Sequence, residues 1–307
     1  MASRSTPTTA LVLAAGLGTR LRPLTTARAK PSLPVAGTAL LLRIVEALAR
    51  QQIRDLIVNL HYRPETLTTI LGDGSQFGVR VRYSWEQPLL GSAGGPRRAF
   101  ALDASPRLLL VNGDTLTDVD VSAVIAAHAA SDAEVTMAVI PNPDPSRYGG
   151  VIVGDNGIVT GFTGRGGAGP SWHFVGVQVA ERTAFRDVAD GATADSVGGI
   201  YRSLLASRPT AIRAFCSTAS FQDIGTPRDY LETCLTLADG VPTALLAPDV
   251  AIGRGATLDR SVVWEDVAIG DDAELSRCVV MSGARVPAGF VAHERVIESD
   301  LTSTPLT

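Results

Sequence analysis

Residues 10–15, Ala-Leu-Val-Leu-Ala-Ala, are apolar from end to end and run directly into Gly16-Leu17-Gly18. A short run with no polar alternation predicts a strand buried on both faces, and such strands belong to parallel sheets covered by helices. The pattern recurs down the chain. Residues 56–60, 107–111 and 135–140 read as further buried strands, and 79–83 alternate like a strand. Between them, 40–52 carry Leu41, Ile44, Val45 and Leu48 at helical spacing, 67–71 and 121–130 read as helical, and Phe100 falls in another helix. Strands alternating with helices over short connections predict an α/β fold, with a mainly parallel sheet and helices on both faces.

From Tyr148 the pattern changes. Residues 151–153, then Asp155-Asn156-Gly157, then 158–159 predict a hairpin closed by an Asn-Gly turn. Gly-Arg-Gly-Gly-Ala-Gly at 164–169 is too rich in glycine for a regular element and reads as a mobile loop. Residues 221–224 read as a strand end. Thr226-Pro227-Arg228-Asp229 then opens a helix to about 238, with Thr as cap, Pro in the first turn and Asp at the positive end.

Past Gly240-Val241-Pro242 the chain repeats itself. Ile252, Leu258 and Val263 reappear 17 residues on as Ile269, Leu275 and Val280, and again as Val286, Ala292 and Ile297. Apolar steps of six, five and six with small residues between predict a short parallel β-helix, each coil a triangle of three strands. An irregular three-strand meander is the alternative. The expected division is therefore 1–240 and 241–307. Three near-coils bury little alone, so they must pack on the first domain or on another subunit.

Composition sets limits on function. The chain has 307 residues, 45% hydrophobic and 19% charged, which excludes disorder. A net charge of −4 argues against nucleic acid as a partner. Cys216, Cys234 and Cys278 suggest neither a disulfide framework nor a zinc site. His61, His128, His173 and His293 share no metal-like spacing, and Asp118 and Asp120 read as the start of the next helix. No apolar run reaches the roughly 18 residues of a membrane span, and Met1 to Thr9 lack the form of a signal peptide. A soluble cytoplasmic protein with no membrane contact is expected.

The loop Gly16-Leu17-Gly18-Thr19-Arg20 follows the first strand, so backbone N–H groups and one guanidinium are available to an anion. It is neither a P-loop, because no Lys-Ser/Thr follows, nor the dinucleotide fingerprint, because Leu21 stands where the third glycine belongs. Of 27 basic residues only Lys30 is lysine, and Pro31 after it disfavours helix there. In such a chain a lone lysine marks a place for a compact ammonium, with chance survival as the alternative. Asp114 follows the strand at 107–111, at the edge where ligands gather in such sheets, and suits a hard cation.

Read whole, Leu13-Ala14-Ala15-Gly16-Leu17-Gly18-Thr19-Arg20-Leu21 with Lys30-Pro31-Ser32-Leu33-Pro34-Val35 resembles the sugar-1-phosphate nucleotidyltransferases, in particular the mannose-1-phosphate guanylyltransferase-like branch. Further segments match in the same order: Glu86-Gln87-Pro88-Leu89-Leu90-Gly91-Ser92-Ala93-Gly94, Asn112-Gly113-Asp114, Tyr148-Gly149-Gly150-Val151 and Phe221-Gln222-Asp223-Ile224-Gly225. The resemblance covers about residues 11–238, and a β-helix of hexapeptide repeats is a common appendage in the guanylyl, adenylyl and uridylyl branches.

The resemblance implies a Rossmann-like mixed, mainly parallel sheet followed by a short left-handed β-helix. It implies that Leu13, Ala14, Ala15, Gly16, Gly18, Thr19, Arg20, Lys30, Glu86, Gly91, Ser92 and Ala93 bind the nucleotide. Asn112, Gly149, Gly150, Arg165 and Gly176 would meet the sugar phosphate. Asp114 and Asp223 would hold Mg²⁺, and Arg20, Lys30 and Asp114 would carry the chemistry. The chain departs from the family on the sugar side: Gly164-Arg165-Gly166 stands where most relatives have Glu-Lys-Pro, and Phe174-Val175-Gly176 where many have Asn-Ala-Gly. Arg165 is the candidate replacement for the lysine.

The implied reaction joins a nucleoside triphosphate to a sugar 1-phosphate and releases pyrophosphate, with GTP and mannose 1-phosphate as the first expectation. Another sugar-1-phosphate branch, such as that using UTP and N-acetylmuramate 1-phosphate, is the alternative. A catalytically silent regulatory subunit binding nucleotide sugar is an alternative of another class; retention of Arg20, Lys30, Asp114 and Asp223 argues against it. Acyl transfer by the β-helix, with only His293, is a third. A homo-oligomer, dimer or tetramer, is expected because the β-helix leaves exposed ends.

Overall fold

The computed structural model describes residues 9–238 and 244–307. Residues 1–8 and the Gly240-Val241-Pro242 step lie outside the described residues. The chain gathers into two compact units: residues up to 16 with 44–221, and residues 17–43 with 222–307.

The first unit is built on a nine-stranded sheet. Its strands are β1 (Thr9–Leu13), β2 (Asp55–Leu60), β3 (Arg80–Trp85), β4 (Arg107–Asn112), β5 (Val135–Pro141), β6 (Gly150–Val153), β7 (Val159–Thr163), β8 (Trp172–Glu181) and β9 (Ile212–Cys216). β3, β2, β1 and β4 lie side by side in parallel, with Leu56 and Leu109 flanking Ala10. β8 is antiparallel to β4 and β5, pairing Val177 with Val111 and Gln178 with Met137. β9 is parallel to β5, and β6 is antiparallel to both β8 and β7. Only β7 and β8 therefore run against the common direction. The helices of this unit are α2 (Pro64–Leu71), α3 (Gly91–Ala99), α4 (Val121–Ala129) and α5 (Tyr201–Ser207); α1 (Leu40–Arg50) begins in the second unit and ends here.

Both sheet faces are covered, which is why the strands read as continuous apolar runs. Leu11 and its neighbours Ala10 and Val12 are all fully buried. Leu11, Ile57, Leu108, Leu110, Met137 and Val139 share one core with Phe100, Phe185 and Tyr201. The hairpin forms as the sequence predicts: Asn156 and Gly157 both take positive φ between β6 and β7. Asp120 caps α4 by accepting from the Ala123 N–H at 3.0 Å. His128 is buried, bonded to Thr136 Oγ1 at 2.8 Å and Glu181 at 3.3 Å, a packing role.

The second unit contains α6 (Pro227–Leu237) and the C-terminal coils. Thr226 and Asp229 form a reciprocal capping box at the start of α6, with Pro227 in its first turn. In the coils the 17-residue repeat becomes register. Ile252 pairs with Ile269 and Ile269 with Val286; Leu258 with Leu275 and Leu275 with Ala292; Val263 with Val280 and Val280 with Ile297. The pairings are parallel, in three separate sheets, consistent with the hexapeptide left-handed β-helix. Val263, Ile269, Leu275, Val280, Val286 and Ile297 fill its core. The coils pack on the rest of their unit: Trp264 Nε1 donates to the Tyr230 hydroxyl at 2.8 Å, Tyr230 donates to the Pro34 carbonyl, and the Arg28 guanidinium lies 4.8 Å over the Trp264 ring. Among the described residues no helix is long and apolar enough to cross a membrane.

Candidate active site

Parallel strands end together, and a sheet's carboxyl edge is where ligands bind in α/β folds. Here β1, β2 and β4 end around a cavity of about 240 Å³. Leu13, Ala15 and Gly16 line it from the end of β1 and Asn59 from β2. Glu86 and Leu89 come from the β3–α3 connection, Gly91 and Ser92 from the first turn of α3, and Asn112 and Asp114 from the end of β4. The last two are pinned beside the first: the Gly113 N–H donates to the Leu13 carbonyl at 2.9 Å, and a Cβ at 113 would come within 2.6 Å of that oxygen.

Two buried side chains join these walls. Asn59 Oδ1 accepts from the Ala14 and Ala15 N–H groups at 2.5 and 3.2 Å. Asn59 Nδ2 donates to Glu86 Oε1 at 2.7 Å, and Glu86 Oε2 accepts from the Leu90 N–H at 2.8 Å. Glu86 is marked by its motif, whereas Asn59, 3% exposed, is marked in the sequence only as an amide inside the apolar run 56–60. Ser92 donates to Asp195 at 2.5 Å and accepts from the Ser196 N–H at 2.8 Å, fixing the start of α3.

Arg20, Lys30 and Asp223 all belong to the second unit. Gly18 has φ +62°, and a Cβ there would stand 3.3 Å from Lys30 Cβ, so the lysine stem lies against the glycine turn. Thr25 Oγ1 donates to the Gly18 carbonyl at 2.8 Å and holds the turn. Lys30 is 7% exposed at the start of a 3-10 turn, Lys30–Ser32. Thr19 and Arg20 form another, Thr19–Leu21. Arg20 Nη1 and Asp223 Oδ2 each lie 3.1 Å from where a Gly225 Cβ would stand, so cation and carboxylate adjoin over that glycine.

Of the expected sugar-side residues Asn112 lines the cavity, while Gly149, Gly150, Arg165 and Gly176 are not part of its lining. Gly176, in β8, sits against the Asn112 side chain. Gly149 precedes β6 and Gly150 begins it, and Arg165 is exposed on a turn. Beside Gly149 the rings of Tyr148 and Phe221 pack on His173, each centroid 4.5 Å from the imidazole. Burial pushes the His173 imidazole below its ordinary value, outweighing a hydrogen bond to Gly149, so it is neutral at pH 7. Among the described residues no three His, Cys, Asp or Glu side chains converge to hold a metal.

The nucleotidyl transferase family model matches residues 9–240, and the GlmU-like C-terminal hexapeptide model matches residues 232–298. The chain is 28% identical over 272 residues to the mannose-1-phosphate guanylyltransferase of Mycobacterium tuberculosis, covering 81% of this chain and 76% of that protein. It is 30% identical over 222 residues to the D-glycero-alpha-D-manno-heptose 1-phosphate guanylyltransferase of Aneurinibacillus thermoaerophilus, covering 72% of this chain and 94% of that protein. The fold matches that of HddC from Yersinia pseudotuberculosis, solved in complex with GMP-PN, at a TM-score of 0.63 and 23% identity, over 75% of this chain and 99% of that one. With a glycine-lined cavity at the carboxyl edge of its sheet and a family match over three quarters of its length, this chain belongs to the nucleotidyl transferase family, with a hexapeptide extension at its C-terminus.

Proposed function

We propose that the protein transfers a nucleotidyl group from a nucleoside triphosphate to a sugar 1-phosphate, releasing pyrophosphate, with GTP and mannose 1-phosphate as the substrate pair. The observation that carries this is the cavity wall: residues of the matched glycine run, of the Glu86–Ser92 segment and of Asn112–Asp114 line one space. The relatives' names supply the substrates.

The two reactants bring together about six negative charges, and each pair at ~4 Å repels by on the order of 4 kcal/mol at an effective dielectric near 20. The nucleophile is already an anion, an oxygen of the sugar phosphate, so no strong base and no covalent enzyme intermediate is needed. The protein's task is to align that oxygen with the α-phosphorus and to offset charge. Gly16, Gly18 and Thr19 offer backbone N–H groups to the triphosphate. Arg20 and Lys30 offset the leaving pyrophosphate. Asn112, Gly149, Gly150, Gly176 and the Arg165 guanidinium serve the sugar phosphate. Leu13, Ala14, Ala15, Gly91, Ser92 and Ala93 bound the nucleoside, and Glu86 shapes that wall through its bonds to Asn59 and Leu90.

Members of the family generally use a divalent metal. The carboxylates Asp114 and Asp223 are hard oxygen donors suited to Mg²⁺, which keeps several waters and needs few protein ligands. Bound there, Mg²⁺ supplies charge neutralisation on the phosphates. Free thiols at Cys216, Cys234 and Cys278 fit a reducing compartment such as the cytoplasm. The outer coil strands Ala251–Ile252 and Thr257–Asp259 each have one strand neighbour among the described residues, and these edges suit a homo-oligomer, a dimer or tetramer by sedimentation.

The test is a panel of four nucleoside triphosphates against several sugar 1-phosphates, reading pyrophosphate. Release with GTP and mannose 1-phosphate is expected, and release with another pair reassigns the substrates. If no pair releases pyrophosphate while a nucleotide sugar raises the melting temperature, the regulatory reading replaces this one.

A further inference from the structure

Three backbone N–H groups fix the polarity of the buried pair that joins the cavity walls. At one end the donors are Ala14 and Ala15; at the other the donor is Leu90. An N–H only donates, so the side chain facing each end must accept there. Between them the two side chains must supply one donor and one acceptor. Asparagine followed by glutamate meets this: Oδ1 accepts, Nδ2 donates, Oε1 accepts and Oε2 accepts. The orientation of the Asn59 amide is thereby set by its neighbours. Both residues are 3% exposed, so a lost partner leaves a nearly buried polar atom unpaired. Gly95 of α3 makes room for the pair, since a Cβ there would stand 2.7 Å from Glu86 Oε1 and 3.0 Å from Asn59 Nδ2.

We propose that Asn59 and Glu86 are positioning residues, a polarity-locked relay that holds the root of the glycine loop and the β3–α3 connection in the one arrangement that receives the nucleoside triphosphate. This rests on the nucleotidyl-transfer reading and adds to it how the pocket is held open before the nucleotide arrives. Only one other pair of the same size and total charge satisfies the same ends: aspartate at 59, accepting twice, and glutamine at 86, donating to it and accepting from Leu90. Either exchange alone fails. Glu86→Gln turns an amide N–H against either Leu90 or the Asn59 amide. Asn59→Asp sets two carboxylates face to face.

The test compares Asn59→Asp, Glu86→Gln and the double exchange in the full-length protein. Readouts are amide hydrogen exchange at residues 14, 15 and 90, the dissociation constant for GTP with Mg²⁺, and KM and kcat separately. Each single exchange should speed exchange at those amides and raise the GTP dissociation constant and KM about tenfold, with kcat and the sugar-phosphate KM much less affected. The double exchange should restore all of these to within about threefold of the parent. Gly95→Ala, which wedges the pair apart, should match the singles. A double as impaired as Glu86→Gln would show that the carboxylate itself meets the ligand, and would overturn the proposal. Unchanged amide exchange in the singles would also overturn it, as would a fall in kcat at constant KM, the mark of fewer folded molecules. If a single exchange fails to fold, a folded double is the rescue. Amide exchange needs no turnover, so a parent protein that releases no pyrophosphate would defeat the functional reading and leave this measurement decisive for the relay.

Discussion

Lys30 is the one lysine among 27 basic residues, and its stem is packed beside the positive-φ Gly18 turn. A buried ammonium at that turn is a compact point charge, and a guanidinium is wider and planar. Lys30→Ala is expected to lower turnover at least about 100-fold with the melting temperature little changed, and Lys30→Arg to restore little of it, both read as pyrophosphate release. Asp114 lines the cavity from the end of β4. Asp114→Asn keeps the shape and removes the charge, so it should abolish the Mg²⁺-dependent rate; an unchanged metal titration would defeat that assignment. Asp103 shows the same local physics away from the site. Burial pushes its carboxyl up, but hydrogen bonds from Ser105, Thr9 and Arg82 outweigh this and hold it well below the usual carboxylate range. Its folded value is below its unfolded value. The stability it contributes is therefore present above about pH 4 and is lost as pH falls below that. Asp103→Asn should flatten the acid limb of a stability–pH curve recorded between about pH 5 and pH 2.

At the scale of the element, the starts of α4 and α6 carry their own instructions. Thr226 and Asp229 exchange hydrogen bonds across the first turn of α6, at 3.2 Å and 2.9 Å. Thr226→Ala should cost about 1 kcal/mol, measured by urea denaturation. The coils show how a repeat becomes geometry. Positive-φ corners recur every 17 residues at Gly255, Asp272 and Gly289, and at Arg260, Arg277 and Glu294. Each falls between two successive short strands of a coil. β8 shows the opposite case. Gly176 and a register shift between Phe174 and Gln178 break its alternation, so its ten residues carry no clean strand period.

At the scale of the whole molecule, the glycine run is divided between units: Gly16 belongs to the first and Leu17 onward to the second, with Lys30 and the coils. The coils are thus tied to the segment bearing Arg20 and Lys30 through Trp264, Tyr230, Pro34 and Arg28, and Arg28 also meets Glu265 at 2.5 Å. Trp264→Ala removes the buried ring at the centre of this packing. It should cost about 3 kcal/mol and speed amide exchange across residues 17–43 while leaving residues 107–111 protected. Equal loss of protection in both segments would show that the coils do not brace that segment in particular.

Apolar runs and a 17-residue period were enough to read the strands of the parallel half-sheet, α1, α4, the hairpin, the α6 cap and the coil register, because each is set by residues near in sequence or by a strict repeat. The insertion of β8 antiparallel between β4 and β5, the partner strand β9 and the helix α5 were not legible there. Antiparallel placement depends on pairing across long separations, and a fully buried strand leaves no mark of direction. The same holds at the site. Glu86 and Asp114 could be named from their motifs, but Asn59 acquires its meaning only when Ala14, Ala15 and Leu90, 45, 44 and 4 residues from their partners in the chain, present their N–H groups to one buried pair. Hydrogen-bond polarity is a property of neighbours in space, and those the fold alone supplied.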